Sequence, residues 1–101
     1  MDISIIREKT RFSPEAPIQE VIYNAHGKRC VLFCLEPGQS AGLSPSRGAI
    51  SLFVIDGEGS FVGEDEEKSV GKGVMAVYGQ EETGKTSLRA KSRFVVLVVI
   101  T

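Results

Sequence analysis

The chain has 101 residues, with 12 basic and 13 acidic side chains and a formal net charge of −1. That length supports one domain, 1–101, whose core buries roughly two-thirds of the unfolded surface. A composition of 42% hydrophobic and 25% charged residues excludes disordered and fibrous classes. The balanced charge excludes nucleic-acid binding driven by the phosphate backbone.

The first residues carry Arg7, Glu8 and Lys9 and no long apolar stretch, so no secretory leader is expected. The longest apolar run, residues 94–100, falls far short of the roughly 18 residues that span a bilayer as a helix. A cytoplasmic location and no membrane partner follow as expectations.

No helical stripe appears; short apolar runs alternate with turn residues, as in an all-β chain. Residues 3–6 read as a first short strand, and Pro14 and Pro17 as an irregular connection. Residues 18–23 and 29–35 read as a hairpin, joined through Asn24, Ala25, His26 and Gly27, since Asn and Gly accept positive φ. Within the second of these strands, Cys30 and Cys34 point to one face about 13 Å apart, beyond the ~7 Å that a disulfide spans. They read as small buried hydrophobes.

Residues 36–48 are loop-like, rich in Gly and Pro. Residues 49–55 form a buried strand ending at Asp56 and Gly57. Residues 59–62 pair with 68–70 across the acidic stretch 63–67, a solvated turn whose ligand spacing does not suit calcium. Residues 74–78, 86–90 and 94–100 complete eight or nine strands, the expectation for a small sandwich or barrel. The run 94–100 is apolar on both faces. One face meets the core, and a partner subunit is the simplest cover for the other, which predicts a homodimer.

Residues 79–86, Gly-Gln-Glu-Glu-Thr-Gly-Lys-Thr, match the phosphate-binding pattern G-x-x-x-x-G-K-[ST] letter for letter. The context argues against it. Such a loop opens a helix within a parallel βαβ unit, and here a strand is due within seven residues. Glu81 and Glu82 would also repel a phosphate. A polar hairpin turn is the better reading, with nucleotide binding as the lesser alternative.

From Leu35 onward the chain resembles the cupin family. Residues 35–38 (Leu-Glu-Pro-Gly), a loop and residues 50–59 are similar to the family's first motif; residues 71–78 are similar to the entry of the second. Residues 87–90 and 94–100 resemble the closing strands of small members. The resemblance implies an RmlC-like jelly-roll β-barrel, a double-stranded β-helix, with a central pocket and usually a dimer. In typical members three His and one Glu hold a divalent transition metal there. Counting from Gly38 puts the first two His positions at Ser44 and Ser46, the Glu position at Ile50 or Ser51, and the third His within 84–86, at Thr86. Hydroxyls are poor ligands for iron, zinc, nickel or copper, so no metal and no other cofactor is expected.

A pocket lined by Ser44, Ser46, Ser51 and Thr86, with Arg47, Tyr78 and Lys85 near its mouth, would suit a small polar or anionic ligand. The leading expectation is a non-catalytic, metal-free module that binds a small molecule or pairs with itself. The alternative is a metal-independent isomerase or epimerase with His26 as base and Tyr23 or Tyr78 as acid, although His26 falls in a turn well before the motif.

Overall fold

The computed structural model describes residues 1–43, 49–78 and 86–101. Nine strands form two antiparallel sheets among them. The strands are β1 (Ile18–Ala25), β2 (Lys28–Leu35), β3 (Ser40–Gly42), β4 (Ile50–Asp56), β5 (Glu58–Val62), β6 (Glu67–Gly71), β7 (Met75–Tyr78), β8 (Ser87–Ala90) and β9 (Phe94–Ile100). One sheet runs β1-β2-β9-β4-β7 and the other β3-β8-β5-β6. The strand pattern led to a small sandwich or barrel, and the two sheets form the jelly-roll barrel that the resemblance implied. No helix is long and apolar enough to cross a membrane among the described residues.

The expected first strand at 3–6 does not form. Its place is taken by a single helical turn, α1 (Ile6–Lys9), closed by the Thr10 hydroxyl donating to the Ile6 carbonyl at 2.9 Å. A second difference is β3, a three-residue strand inside the stretch expected to be loop; it pairs with β8 from Ser40 opposite Arg89 to Gly42 opposite Ser87.

The hairpin β1–β2 turns on two residues, His26 and Gly27, between the paired Ala25 and Lys28. Both have positive φ, 55° and 76°. That geometry continues the right-handed strand twist, and glycine supplies the second position without strain.

Side-chain alternation sorts the larger sheet into two faces. Val31, Phe33 and Leu35 of β2, Ile50, Leu52 and Val54 of β4, and Phe94, Val96 and Val98 of β9 face inward and are buried. They pack against Phe61, Leu88 and Ala90 of the smaller sheet. Leu32, Cys34 and Val95 face outward and are equally buried.

Their cover is intramolecular. The N-terminal segment lays Ile6 and Phe12 on that outer face, beside Ile18, Ile22, Ile55 and Leu97. Three contacts tie the segment down. The Arg93 guanidinium lies 4.6 Å from the centre of the Phe12 ring and donates to Glu36 at 2.6 Å. The Gln39 side-chain amide donates to the Ser13 carbonyl at 2.7 Å, and Arg11 stands 3.4 Å from Glu20. The two-faced apolar character of β9 is thus met, at Val95 and Leu97, by the chain's own first residues.

Candidate functional site

The inward face of the larger sheet changes character at one end. Along β2 the inward positions are Leu35, Phe33, Val31 and then Arg29, which pairs with Ile100 of β9 and Asn24 of β1. Gln19 of β1 pairs with Phe33 and shares that face. Register thus places Arg29 at the end of an otherwise apolar face and Gln19 four residues farther in, opposite Phe33. Arg29 is exposed and has no carboxylate partner among the described residues.

At this end lies a cavity of about 80 Å³, lined by Gln19, Arg29, Val31, Phe33, Gly42, Leu43, Ile50, Val98 and Ile100. A larger hollow of about 540 Å³ sits on the outside, at the β4–β5 corner near Asp56, Glu58 and Lys72. That hollow is a solvent-open surface depression, and the smaller cavity is the one enclosed by the barrel wall.

Two of the residues expected at a pocket lie at this end. Tyr78 pairs with Ile50 on the inward face of β7 and packs against the core. Thr86 is buried, 4% exposed, and its carbonyl accepts the Leu43 backbone N–H at 2.9 Å. Ile50 and Leu43 both line the cavity. Ser51 is elsewhere: it pairs with Val77 and Val99 on the outward face of β4, away from the barrel interior. Ser44, Ser46, Arg47 and Lys85 lie outside the described residues. Arg29 and Gln19 were not singled out from the sequence, although Arg29 continues the inward alternation of Val31, Phe33 and Leu35.

The donor set does not fit a transition metal. Of the positions that the resemblance implies for the family's Glu, Ile50 is fully buried among aliphatic side chains and Ser51 faces outward; at the position implied for the third His, Thr86 is buried. No group of three or more His, Cys, Asp or Glu that could hold an ion occurs among the described residues. An aliphatic wall offers such an ion nothing to replace its lost hydration.

The acid–base pair of the epimerase alternative is not assembled either. His26 is exposed on the hairpin turn, Tyr23 faces outward opposite Cys30, and Tyr78 faces inward. Of the phosphate-loop pattern, residues 79–85 lie outside the described residues; Thr86 leads directly into β8, a strand where a phosphate loop requires a helix.

Both cysteines are free. Cys34 lies under the N-terminal segment, where burial raises its thiol pKa, a backbone hydrogen bond from Arg11 opposes the rise, and the Glu20 charge adds to it.

No protein-family profile matches the chain, and no curated protein matches it by sequence. Solved structures do match. An RmlC-like cupin from Desulfovibrio desulfuricans superposes with a TM-score of 0.89 at 25% identity, over 100% of this chain and 96% of that one. An uncharacterized conserved protein with a double-stranded β-helix domain from Klebsiella pneumoniae gives 0.86 at 21% identity, covering 100% and 90%. A cupin 2 conserved barrel domain protein from Salinispora arenicola gives 0.74 at 12% identity, covering 98% and 87%. With its jelly-roll topology and its end-to-end superposition on these barrels, the chain has the cupin fold, a double-stranded β-helix.

Proposed function

We propose that this cupin-fold protein is a metal-free, non-catalytic module of the cytoplasm that holds a small polar or anionic molecule at one end of its barrel. The observation that carries the reading is the enclosed cavity whose wall combines Arg29 and Gln19 with Ile50, Val31 and Val98, where typical relatives place metal ligands. A protein built for metal chemistry needs imidazole or carboxylate at those positions. The test is elemental analysis after equilibration with zinc, nickel and iron salts. The expected result is well below one ion per chain, and a stoichiometric ion would overturn the reading.

The same module pairs with a second copy through the outward face of β7, β4 and β9. The N-terminal segment covers that sheet only around Val95 and Leu97. Beyond it stand Met75 (57% exposed) and Val77 (60% exposed), beside the half-buried Phe53, Ser51 and Val99. Among the described residues this patch carries no charged side chain, so a twofold-related copy can lie on it without burying an ion from them. Light scattering at micromolar concentration should return twice the monomer mass, and Val77→Glu should return the monomer. A wild-type monomer refutes the pairing.

A further inference from the structure

We infer that the barrel-end cavity selects a short aliphatic monocarboxylate, with Arg29 holding its carboxylate and the cavity its tail. The inference rests on the ligand-binding reading above and narrows it to one class of molecule.

Charge comes first. Among the described residues, Arg29 is the one ionic side chain in the cavity wall. The carboxylate next to Gln19 on β1, Glu20, lies opposite Leu32 on the outward face and is paired with Arg11. A guanidinium facing a mostly aliphatic wall attracts an anion, and its planar donor fork matches a carboxylate held by two parallel hydrogen bonds. The Gln19 side-chain amide, from the neighbouring strand on the same face, can add a further donor.

Size comes second. An enclosed apolar void of ~150 Å³ accommodates benzene, so one of about 80 Å³ takes a tail of about three or four carbons. Its floor is Val31, Phe33, Leu43, Ile50, Val98 and Ile100, with no buried donor or acceptor side chain to demand a polar tail. A second carboxylate, as in a dicarboxylic acid, would be stranded in that floor without a partner. A cationic headgroup would meet Arg29 and be repelled.

The experiment is ligand titration of the full chain, followed by NMR shifts and thermal denaturation. The probes are acetate, propionate, butyrate, isovalerate, hexanoate and octanoate, with butanol, butylamine and succinate as controls. Affinity should rise about fourfold with each added tail carbon, the value of one buried methylene, and level off once the tail has about four carbons. Butylamine and succinate should not bind, and Arg29→Gln should weaken butyrate about tenfold. Arg29 is exposed at a strand end, so this variant retains the fold; Val31→Leu, which reduces the cavity, should shift the optimum to a shorter tail. If butanol binds at Val31 and Ile50 as tightly as butyrate, or if Arg29→Gln changes nothing, the carboxylate assignment is wrong while the ligand-binding reading survives. If no probe of any charge perturbs those residues, both fall together.

Discussion

Substituting Gly57 by Ala tests how the β4–β5 corner is held. Gly57 has φ 84°, and a Cβ there would collide with the carbonyl oxygen and carbon of Arg93. Gly38 has nearly the same φ, 86°, with nothing within 4 Å of its Cβ position. Placing Ala at either position costs about 1 kcal/mol for the left-handed backbone. At Gly57 the backbone must also retreat from residues 91–93. That strains three hydrogen bonds: Glu58 N–H to the Ser92 hydroxyl at 2.9 Å, and Lys91 and Ser92 N–H to the Glu58 carbonyl at 3.0 and 3.1 Å. At about 1 kcal/mol each, losing two or three brings the total for Gly57→Ala to about 4 kcal/mol. A chain of this length has a stability of about 5–15 kcal/mol, so the variant is crippled while Gly38→Ala is mild. Urea denaturation monitored by tyrosine fluorescence measures both. With a slope near 1.5 kcal/mol/M, the Gly57→Ala midpoint should fall by about 2.5 M and that of Gly38→Ala by less than about 1 M. Equal losses in the two variants would show that the Arg93 contact contributes nothing and that backbone strain alone explains the glycine.

Three further outcomes follow from the N-terminal cover and the hairpin. Phe12→Ala removes a half-buried ring and its contact with Arg93, costing about 2 kcal/mol, and should speed alkylation of Cys34 well beyond any change at Cys30; an unchanged Cys34 rate refutes the cover. Because burial raises the Cys34 thiol pKa in the folded chain, the unfolded chain releases that proton first as pH rises. The associated stability is complete below the ordinary thiol range, near 8.5, and declines as pH climbs toward the folded value; Cys34→Ala should flatten that decline in denaturation curves taken from pH 7 to 10. His26→Asn should raise the urea midpoint by an amount worth about 0.5 kcal/mol, since Asn adopts φ 55° more readily than His, and should leave carboxylate binding untouched.

Strand positions with strong β-branched or aromatic content were legible from sequence, and β1, β2, β4 and β9 lie within two residues of their expected bounds. β3 was not, because Ser40, Ala41 and Gly42 carry no local strand preference and are held extended by pairing with β8. Residues 3–6 failed in the opposite direction: Ile3, Ile5 and Ile6 look like a strand, yet no sheet edge receives them, and Ile3 and Ile5 remain exposed at 80% and 51%. The same limit applies to the two-faced strand β9. Its composition demanded a cover for Val95 and Leu97, but a local pattern cannot say that the cover comes from Ile6 and Phe12 some 85–90 positions earlier in the chain. At the site, Thr86 emerged from motif counting and Tyr78 as a donor expected near the pocket mouth, whereas Ser51 is placed on the outer face by the parity of β4, in which Ile50, Leu52 and Val54 take the inner positions.

Parity at β4 also decides what position 50 can hold. A carboxylate at position 50 would sit in a wall that is otherwise Leu43, Val98 and Ile100, and without a cation its desolvation would have no compensation. Ile50 removes that cost and joins the core instead, at 0% exposure. Arg29 stands at the end of the same face, where it is exposed and hydrated. Under the proposed reading, an aliphatic residue at position 50 gives the cavity its apolar floor and Arg29 gives it a cationic rim. In that reading the two parts of recognition separate: tail length falls to Ile50, Val31 and Val98, and charge to Arg29.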